Sequence, residues 1–397
     1  MKTKIRHMGL LPRIIIAIAL GIAIGWISPE WAARVCATFN DIFSQFLGFL
    51  IPLIIVGFVT PAIGDIGIRA GKMLIVTLLL AYGATLLAGY TSYFTGIWLF
   101  PSMIGQDETM IAVEQGSTTI EPYFTVGMPP LMGVMTALVA AFVVGLGIAV
   151  TSADVLRSAF AEFRSIVELT IRKAVVPLLP FYIFGIFLTM TVSGQVGTIL
   201  ISFAKVIAVI FGIHVFILVF QYCIASLFAR KNPFRMLWTM MPAYFTALGT
   251  SSSAATIPVT LRQTIKIGVS EDVAGFVVPL CATVHMSGSA LKLVACSMAL
   301  MMMQGMPFDI GMFSHFIIML GITIVAAPGI PGGAIMASLG LLTSILGFSE
   351  AQNALMIALY ISMDSFGTAC NVTGDGALAS IIDRFFRPKP RKIASIV

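Results

Sequence analysis

The segment His285–Lys292, HMSGSALK, and the segment Asp364–Asp375, DSFGTACNVTGD, place polar and ionisable side chains inside apolar sequence long enough to cross a bilayer. An ionisable side chain at membrane depth costs about 2.5–3.5 kcal/mol on insertion scales. Such side chains therefore usually face a protein interior or an aqueous pathway. The two clusters predict a membrane protein whose functional site lies between its helices.

The overall composition agrees with an integral membrane protein. The chain has 397 residues, of which 58% are hydrophobic and 10% are charged, whereas a soluble globular chain has about 25% charged residues. The net charge of +6 does not indicate nucleic acid as a partner, because many of the basic residues lie near the two ends: Lys2, Lys4, Arg6, Arg13, Arg384, Arg387, Lys389, Arg391 and Lys392. The positive-inside tendency predicts that both termini are cytoplasmic and that the number of crossings is even.

Hydropathy divides the first part of the chain into candidate spans of about 20 residues. The apolar blocks lie at roughly 11–28, 40–62, 71–99, 123–150, 165–192 and 196–228. The polar stretch Gly105–Glu121 is predicted to be an extramembrane loop. The charged segment Arg157–Lys173 is predicted to be a cytoplasmic connection into the fifth span.

After residue 233 the pattern changes to an internal repeat. Segment 234–267 is broken at Gly249–Ser253, and segment 308–347 is broken at Pro328–Gly333; an apolar helix with one polar cluster follows each broken segment. Interrupted segments in corresponding positions of two halves indicate the substrate site of a transporter. Irregular backbone at membrane depth requires protein or a water-filled cavity around it.

Four polar residues of the second cluster share one face of a predicted helix. Asp364, Thr368, Asn371 and Asp375 are separated by 4, 7 and 11 positions from the first, which places them in one stripe. Such a stripe could receive a substrate ammonium, hold a carboxylate through the amide and bind a cation. Thr and Asn alone would often only join helices, but two aspartates make a purely structural seam a poor explanation.

His285, Ser289 and Lys292 form a second stripe at spacings of 4 and 7. Ser287 and Gly288 between them favour a local break in the helix. A single buried histidine is more often a satisfied hydrogen-bonding residue than a ligand. Lys292 is too far from the ends of its predicted span to reach the interface, so we expect it to have a carboxylate partner.

Two weaker motifs mark the breaks in the repeat. The run Ser251–Pro258, SSSAATIP, precedes a new helix, and backbone N–H groups at a helix N-terminus suit a substrate carboxylate. The alternative for this run alone is a serine-rich turn. The Gly- and Pro-rich break at Pro328–Gly333 suits a hinged gate.

These motifs resemble the dicarboxylate/amino acid:cation symporter family, which includes the glutamate and aspartate transporters. Ala247–Thr260 resembles the serine-rich first hairpin of that family, and Pro279–Ser289 resembles its unwound seventh helix. Gly329–Gly332 resembles the tip of its second hairpin, and Asn371–Asp375 resembles the end of its eighth-helix motif. The match is specific from about residue 233 to residue 385.

The resemblance implies an all-α polytopic membrane protein with eight transmembrane helices, two re-entrant helical hairpins and inverted repeats. It implies a homotrimer in the cytoplasmic (inner) membrane that works by an elevator movement. The implied division is scaffold helices 1 and 2 in 1–70, transport-domain helix 3 in 71–100, a loop with scaffold helices 4 and 5 in 101–192, the remaining transport domain in 193–385, and a basic cytoplasmic tail in 386–397.

The resemblance also implies roles for individual residues. Asp364 would receive the substrate amino group, Asn371 would bind the α-carboxylate, and Asp375 would belong to one sodium site. The implied substrate-binding set is Ser252, Ser253, Ser289, Ile330, Gly333, Asp364, Gly367, Thr368 and Asn371. The coupling or cation-site set is His285, Ser287, Lys292, Asn371 and Asp375.

Several positions depart from the family pattern. Gly367 stands where acidic-amino-acid members have an arginine, and His285 and Ser287 stand where members have Asn and Asp at a sodium site. Lys292 stands at a position that is commonly Tyr, and the tip of the second hairpin is one residue shorter. These departures favour a neutral substrate and a coupling that is not fully sodium-dependent.

The sequence thus predicts a secondary amino-acid transporter that is proton-coupled or exchanging, with H⁺ or Na⁺ as the coupling ion and no cofactor. Retained Asp364 favours a substrate with an ammonium group, because a buried carboxylate needs a partner. One alternative is an acidic amino acid or dicarboxylate symporter in which Lys292 contacts the side-chain carboxylate. Another is an amino-acid-binding membrane protein that does not transport. No pattern supports an enzyme.

Overall fold

The computed structural model describes residues 10–66, 72–103, 120–151, 153–194, 196–325, 327 and 332–386. Within these ranges the regular structure is helical, without strands. The helices are α1 Leu10–Gly25, α2 Glu30–Ile66, α3 Lys72–Met103, α4 Val134–Thr151, α5 Asp154–Thr170, α6 Val176–Val192, α7 Val196–Ala229, α8 Pro233–Thr250, α9 Ser253–Lys266, α10 Glu271–Val284, α11 Ser287–Met303, α12 Ile310–Val325, α13 Gly333–Leu346, α14 Glu350–Ser362 and α15 Asp364–Phe386.

The prediction of an all-helical protein with several apolar helices is confirmed. In the described part of the chain, five helices or joined helices are long and apolar enough to cross a membrane, and the bent pair α14–α15 would be a sixth. Four shorter apolar helices accompany them. The count of eight spans and the re-entrant topology stay predictions. The predicted tail after Phe386, the basic residues Lys2, Lys4 and Arg6, Ile330 and most of the loop Gly105–Glu121 lie outside the described residues.

The structure adds detail to two segments predicted from hydropathy. The block 123–150 is helical only from Val134, and residues 120–133 are irregular because Pro129, Pro130 and nearby glycines disfavour helix. The segment Arg157–Lys173 is helical, and its place as a cytoplasmic connection stays a prediction. It continues through the π-helical turn Ile171–Val175 into α6, and its charges pair along the helix, with Arg172 Nη2 2.6 Å from Glu168 Oε1.

The two broken segments form helical hairpins, the first from α8 and α9 and the second from α12 and α13. In each pair the two helices pack against each other. Asn232 caps α8 by accepting from Arg235 N at 3.1 Å, and Pro233 occupies the first turn. Ser252 caps α9 by accepting from Ala255 N at 3.3 Å. Ser251, between the two helices, has the left-handed φ of 50° that turns the chain.

Large apolar side chains on the outside agree with a bilayer environment. Trp26, Trp98, Trp238 and Leu79 are all more than half exposed. In contrast, sixteen of the seventeen residues of α11 are buried. Helix α11 packs against α3, α7 and α15, and α15 packs against α7, α8, α9 and α10. The helices that carry the two polar clusters therefore form the protected interior of the C-terminal half.

Candidate functional site

The two polar clusters meet where two helices are broken. Helix α10 ends at Val284, and α11 begins at Ser287 after the non-helical residues His285 and Met286. Helix α14 ends at Ser362, and the chain bends by 59° at Met363 before α15. Because α11 packs against α15, the breaks place both clusters in one region.

Side chains satisfy the backbone groups that the first break exposes. Met286 N donates to Thr85 Oγ1 of α3 at 3.3 Å, and Gly288 N donates to Asn371 Oδ1 at 2.7 Å. The Asn371 amide then donates to Ser289 Oγ at 3.1 Å. A buried N–H without a partner would cost about 1–3 kcal/mol, so Asn371 and Thr85 stabilise the broken conformation.

The lysine–aspartate pair, Lys292 with Asp364, lies at the second break. Lys292 Nζ is 3.3 Å from Asp364 Oδ1 and also donates to Met363 O at 3.3 Å. It lies 3.8 Å from the centroid of the Tyr360 ring, a cation–π contact. The lysine is fully buried and Asp364 is 7% exposed. The expectation that Lys292 has a carboxylate partner is confirmed.

The second oxygen of Asp364 contacts the second hairpin. Gly332 N donates to Asp364 Oδ2 at 2.7 Å. Gly332 precedes α13 with φ of 78°, a left-handed conformation that glycine adopts without the strain a Cβ would add. The hydrogen bond joins the hairpin tip to the carboxylate that is predicted to receive the substrate.

Gly367 leaves the space that the lysine occupies. A Cβ at position 367 would lie 2.5 Å from both Cε and Nζ of Lys292. The Lys292 ammonium thus lies where the first atoms of a side chain at position 367 would be. The absence of a side chain at 367 and the presence of a lysine at 292 are therefore linked by packing.

The histidine–aspartate pair, His285 with Asp375, lies deeper along α15. His285 Nδ1 is 2.9 Å from Asp375 Oδ1, and His285 Nε2 is 3.4 Å from Gln221 Nε2. Because the amide nitrogen only donates, Nε2 is the acceptor and Nδ1–H donates to the carboxylate. Asp375 Oδ2 and Gln221 Oε1 are buried without a hydrogen-bond partner among the described residues.

The remaining predicted residues occupy several positions around the two pairs. Ser289 accepts from Tyr360 Oη at 3.0 Å, and Ser287 Oγ accepts from Gln221 at 3.3 Å. Thr368 Oγ1 donates locally to Asp364 O at 3.0 Å. Gly333 is the buried first residue of α13, and Ile330 lies outside the described residues.

The serines of the first hairpin are not joined to either pair. The hydrogen bonds of Ser252 are local, to Ala255 and Thr256, and Ser253 is half-buried at the start of α9. Helix α9 nevertheless packs against α15. The first hairpin thus flanks the helix that carries Asp364 and Asp375, and a role of Ser252 and Ser253 in binding stays a prediction.

Sequence reasoning missed Tyr360, Gln221 and Gly332. Tyr360 lies four residues before Asp364 on the preceding helix and is fully buried, so the same spacing argument could have found it. Gln221 is a single amide in an apolar helix, which is a weak signal. Among the residues that the structure describes, no group of three His, Cys, Asp or Glu side chains could hold a metal ion.

We expect Gly288→Ala to destabilise the protein. A Cβ there would lie 2.6 Å from the Gly367 carbonyl oxygen and 2.8 Å from Cys370 Cβ, and backbone cannot yield as a flexible side chain can. Overpacking of this kind costs about 1–3 kcal/mol. Gly275→Ala in α10 is the control, since its Cβ would meet nothing within 4 Å. Thermal unfolding in detergent should show a lower melting temperature for the first variant only; equal temperatures would contradict the packing.

Comparison with known proteins gives two results. Residues 10–385 match the family model described as the sodium:dicarboxylate symporter family. The chain is 26% identical to the serine/threonine transporter SstT of Acinetobacter baumannii over 397 residues, covering 95% of this chain and 97% of that protein. It is 33% identical to the neutral amino acid transporter B(0) of Rattus norvegicus over 167 residues, covering 41% of this chain and 30% of the rat protein.

Proposed function

The chain belongs to the sodium:dicarboxylate symporter family, and from this premise we propose that it transports a neutral amino acid across the cytoplasmic membrane by an elevator mechanism. Members of this family and the relatives found are transporters, not enzymes. Two relatives are named for serine/threonine and for neutral amino acids. A small amino acid such as serine is therefore the first substrate to test.

The observation that carries the proposal is the environment of Asp364. This buried carboxylate is in contact with a primary ammonium, that of Lys292, at 3.3 Å. An amino-acid substrate carries the same kind of group, and charge-assisted hydrogen bonds to a buried carboxylate are strong. Asn371 of α15 and Ser289 of α11 are joined by a hydrogen bond of 3.1 Å, and their amide and hydroxyl are the groups proposed for the substrate carboxylate.

Gly367 and Lys292 together favour a neutral side chain. Position 367 offers no side chain to contact an acidic substrate, and the Lys292 ammonium is already paired with Asp364. An acidic substrate would bring one more negative charge than a neutral one to a lysine that already has a carboxylate partner. Burying a charge without a partner is unfavourable.

The acidic alternative has one observation in its favour. The Lys292 ammonium lies where a side chain at 367 would begin, so a shift of the lysine away from Asp364 would present a cation to a substrate carboxylate. The proposal and this alternative differ in which amino acids compete for uptake. A membrane protein that binds an amino acid without transporting it would show binding but no flux.

We expect serine uptake into proteoliposomes to be reduced by unlabelled threonine and alanine and to be little affected by aspartate or glutamate. The preference should be about tenfold or more in half-inhibitory concentration, which corresponds to about 1.4 kcal/mol. Liposomes without protein are the control for leakage. Competition by aspartate and glutamate alone would contradict the neutral assignment and support the acidic one.

For coupling we propose that a proton replaces at least part of the sodium requirement. The support is geometric: the buried side chains of His285 and Asp375 lie 2.9 Å apart and place an imidazole and a carboxylate in direct contact. Tyr222 of α7 and Cys281 of α10 are further titratable groups buried around this pair. Sodium at Asp375 stays an alternative, and the two ions are separated by the gradient experiment described in the Discussion.

The proposed elevator movement requires a fixed scaffold and a moving transport domain. Residues 1–70 and 101–192 would form the scaffold of a homotrimer with cytoplasmic termini, and 71–100 with 193–385 would form the moving transport domain. The packing of α11 against α3, α7 and α15 supports placing these four helices in one moving unit. The second hairpin would be the gate, since Gly332 at its tip contacts Asp364.

A further inference from the structure

The Lys292 ammonium occupies the position where a substrate ammonium is expected. It lies 3.3 Å from Asp364 Oδ1, while Gly332 N occupies Oδ2 at 2.7 Å. Both oxygens of the carboxylate therefore have partners supplied by the protein itself. A second ammonium at this carboxylate would lie beside the positive charge of Lys292 unless the lysine moves.

The lysine has two other partners that remain when it leaves Asp364. Its ammonium lies 3.8 Å from the centroid of the Tyr360 ring and 3.3 Å from Met363 O. A cation–π contact and a carbonyl acceptor can hold a desolvated ammonium. A Cβ at position 367 would lie 2.5 Å from both Cε and Nζ, so the glycine allows the lysine side chain to lie beside these partners.

The negative charge of Asp364 gives its ion pair with Lys292 a possible role in transport. After the substrate leaves, Asp364 remains buried in the protein. A buried carboxylate without a charged partner is unfavourable at membrane depth. A carrier in this condition returns across the membrane only when it carries another substrate molecule. Lys292 removes this obstacle because it neutralises Asp364 within the protein.

Starting from the proposed transport function, we propose that Lys292 is a built-in substitute for the substrate ammonium. Before substrate binds it pairs with Asp364, whose other oxygen accepts from Gly332 N. The empty transport domain can then return, so the protein carries out net transport rather than obligatory exchange. Arriving substrate displaces the lysine toward Tyr360 and Met363.

The test compares two fluxes of labelled serine from proteoliposomes at equal pH on both sides. Efflux into serine-free buffer requires return of the empty protein, and efflux into buffer with unlabelled serine does not. For the unmodified protein we expect the two rates to agree within about threefold, because the return step is not blocked by a bare carboxylate. Exchange faster than net efflux by more than tenfold would overturn the proposal.

In the variant Lys292→Met we expect net efflux to be slower, by about tenfold or more, than exchange measured in the same preparation, since the substitution leaves Asp364 without a resident cation. Lys205→Met is the matched control, because Lys205 is a half-buried lysine of α7 whose ammonium donates to Met103 O at 2.8 Å. The control should keep both fluxes. Equal net efflux and exchange in Lys292→Met would overturn the proposal.

Different results would contradict the transport function and the proposed role of Lys292. Absence of both fluxes in the unmodified protein, for every amino acid tested, contradicts the proposed function itself. Serine exchange without net efflux in the unmodified protein leaves the transport function intact and overturns only the inference on Lys292. If Lys292→Met does not fold, the comparison of the two fluxes in the unmodified protein decides the inference alone.

Discussion

Asp364→Asn is expected to reduce amino-acid uptake by about 100-fold or more, because loss of one partner of a buried hydrogen-bonded charge pair costs about 2–5 kcal/mol. The amide cannot supply the negative charge that a substrate ammonium requires. Its nitrogen would also face Lys292, which lies 3.3 Å from the carboxylate in the unmodified protein. Initial uptake rates in proteoliposomes at equal protein density measure the effect.

The same substitution should lower stability, and a second variant separates the two effects. Asp364→Asn leaves the fully buried Lys292 without its counter-charge, which costs about 3–5 kcal/mol. The double variant Asp364→Asn with Lys292→Met removes both charges and should recover much of the melting temperature. It should not recover uptake. Normal uptake by either variant would show that Asp364 does not bind the substrate.

Asp375→Asn is expected to remove the response of uptake to a pH gradient while leaving exchange at equal pH largely intact. The carboxylate is buried, and its only hydrogen-bond partner among described side chains is His285, at 2.9 Å. An asparagine of the same size keeps the packing but cannot take part in proton binding with the histidine. A pH gradient of one unit is a tenfold difference in proton concentration, so we expect it to speed uptake by about tenfold in the unmodified protein. This acceleration should be absent in Asp375→Asn.

Asp383→Asn provides the matched control for that experiment. Asp383 lies two turns further along α15, and its carboxylate accepts from Ser270 N at 3.0 Å and from Ser270 Oγ at 2.6 Å. It stabilises the start of α10 rather than the site, so its variant should keep the gradient response. A response that survives in Asp375→Asn and disappears in Asp383→Asn would contradict the assignment.

The sequence predicts the location of the site because ionisable residues stand out in apolar segments. Lys292 requires a carboxylate, but 17 acidic residues are present in the chain. Only the packing of α11 against α15 selects Asp364. The stripe Asp364, Thr368, Asn371 and Asp375 lies on one helix, as predicted. His285 lies outside the helix that carries Ser289 and Lys292, because the break precedes Ser287 rather than following it.

Other features depend on interactions that hydropathy does not encode. Gln221 meets His285 only because α7 packs beside α11 and α15. The backbone N–H of Gly332 reaches Asp364, and no side chain marks such a contact in a sequence. Helix boundaries near Pro129 and Pro130 follow local backbone chemistry rather than hydropathy. The helices are thus easier to predict from the sequence than the contacts between residues at the points where helices are interrupted.

Serine uptake by the unmodified protein, with the pH and sodium gradients imposed separately, tests the central claim most directly. The account predicts saturable uptake that an inward proton gradient accelerates without sodium, since His285, the partner of Asp375, lies 3.2 Å from the carbonyl oxygen of Asn371 in the proposed substrate site. Uptake that depends strictly on sodium and does not respond to the pH gradient would contradict the proposed coupling. No saturable uptake under any gradient would contradict the transport function.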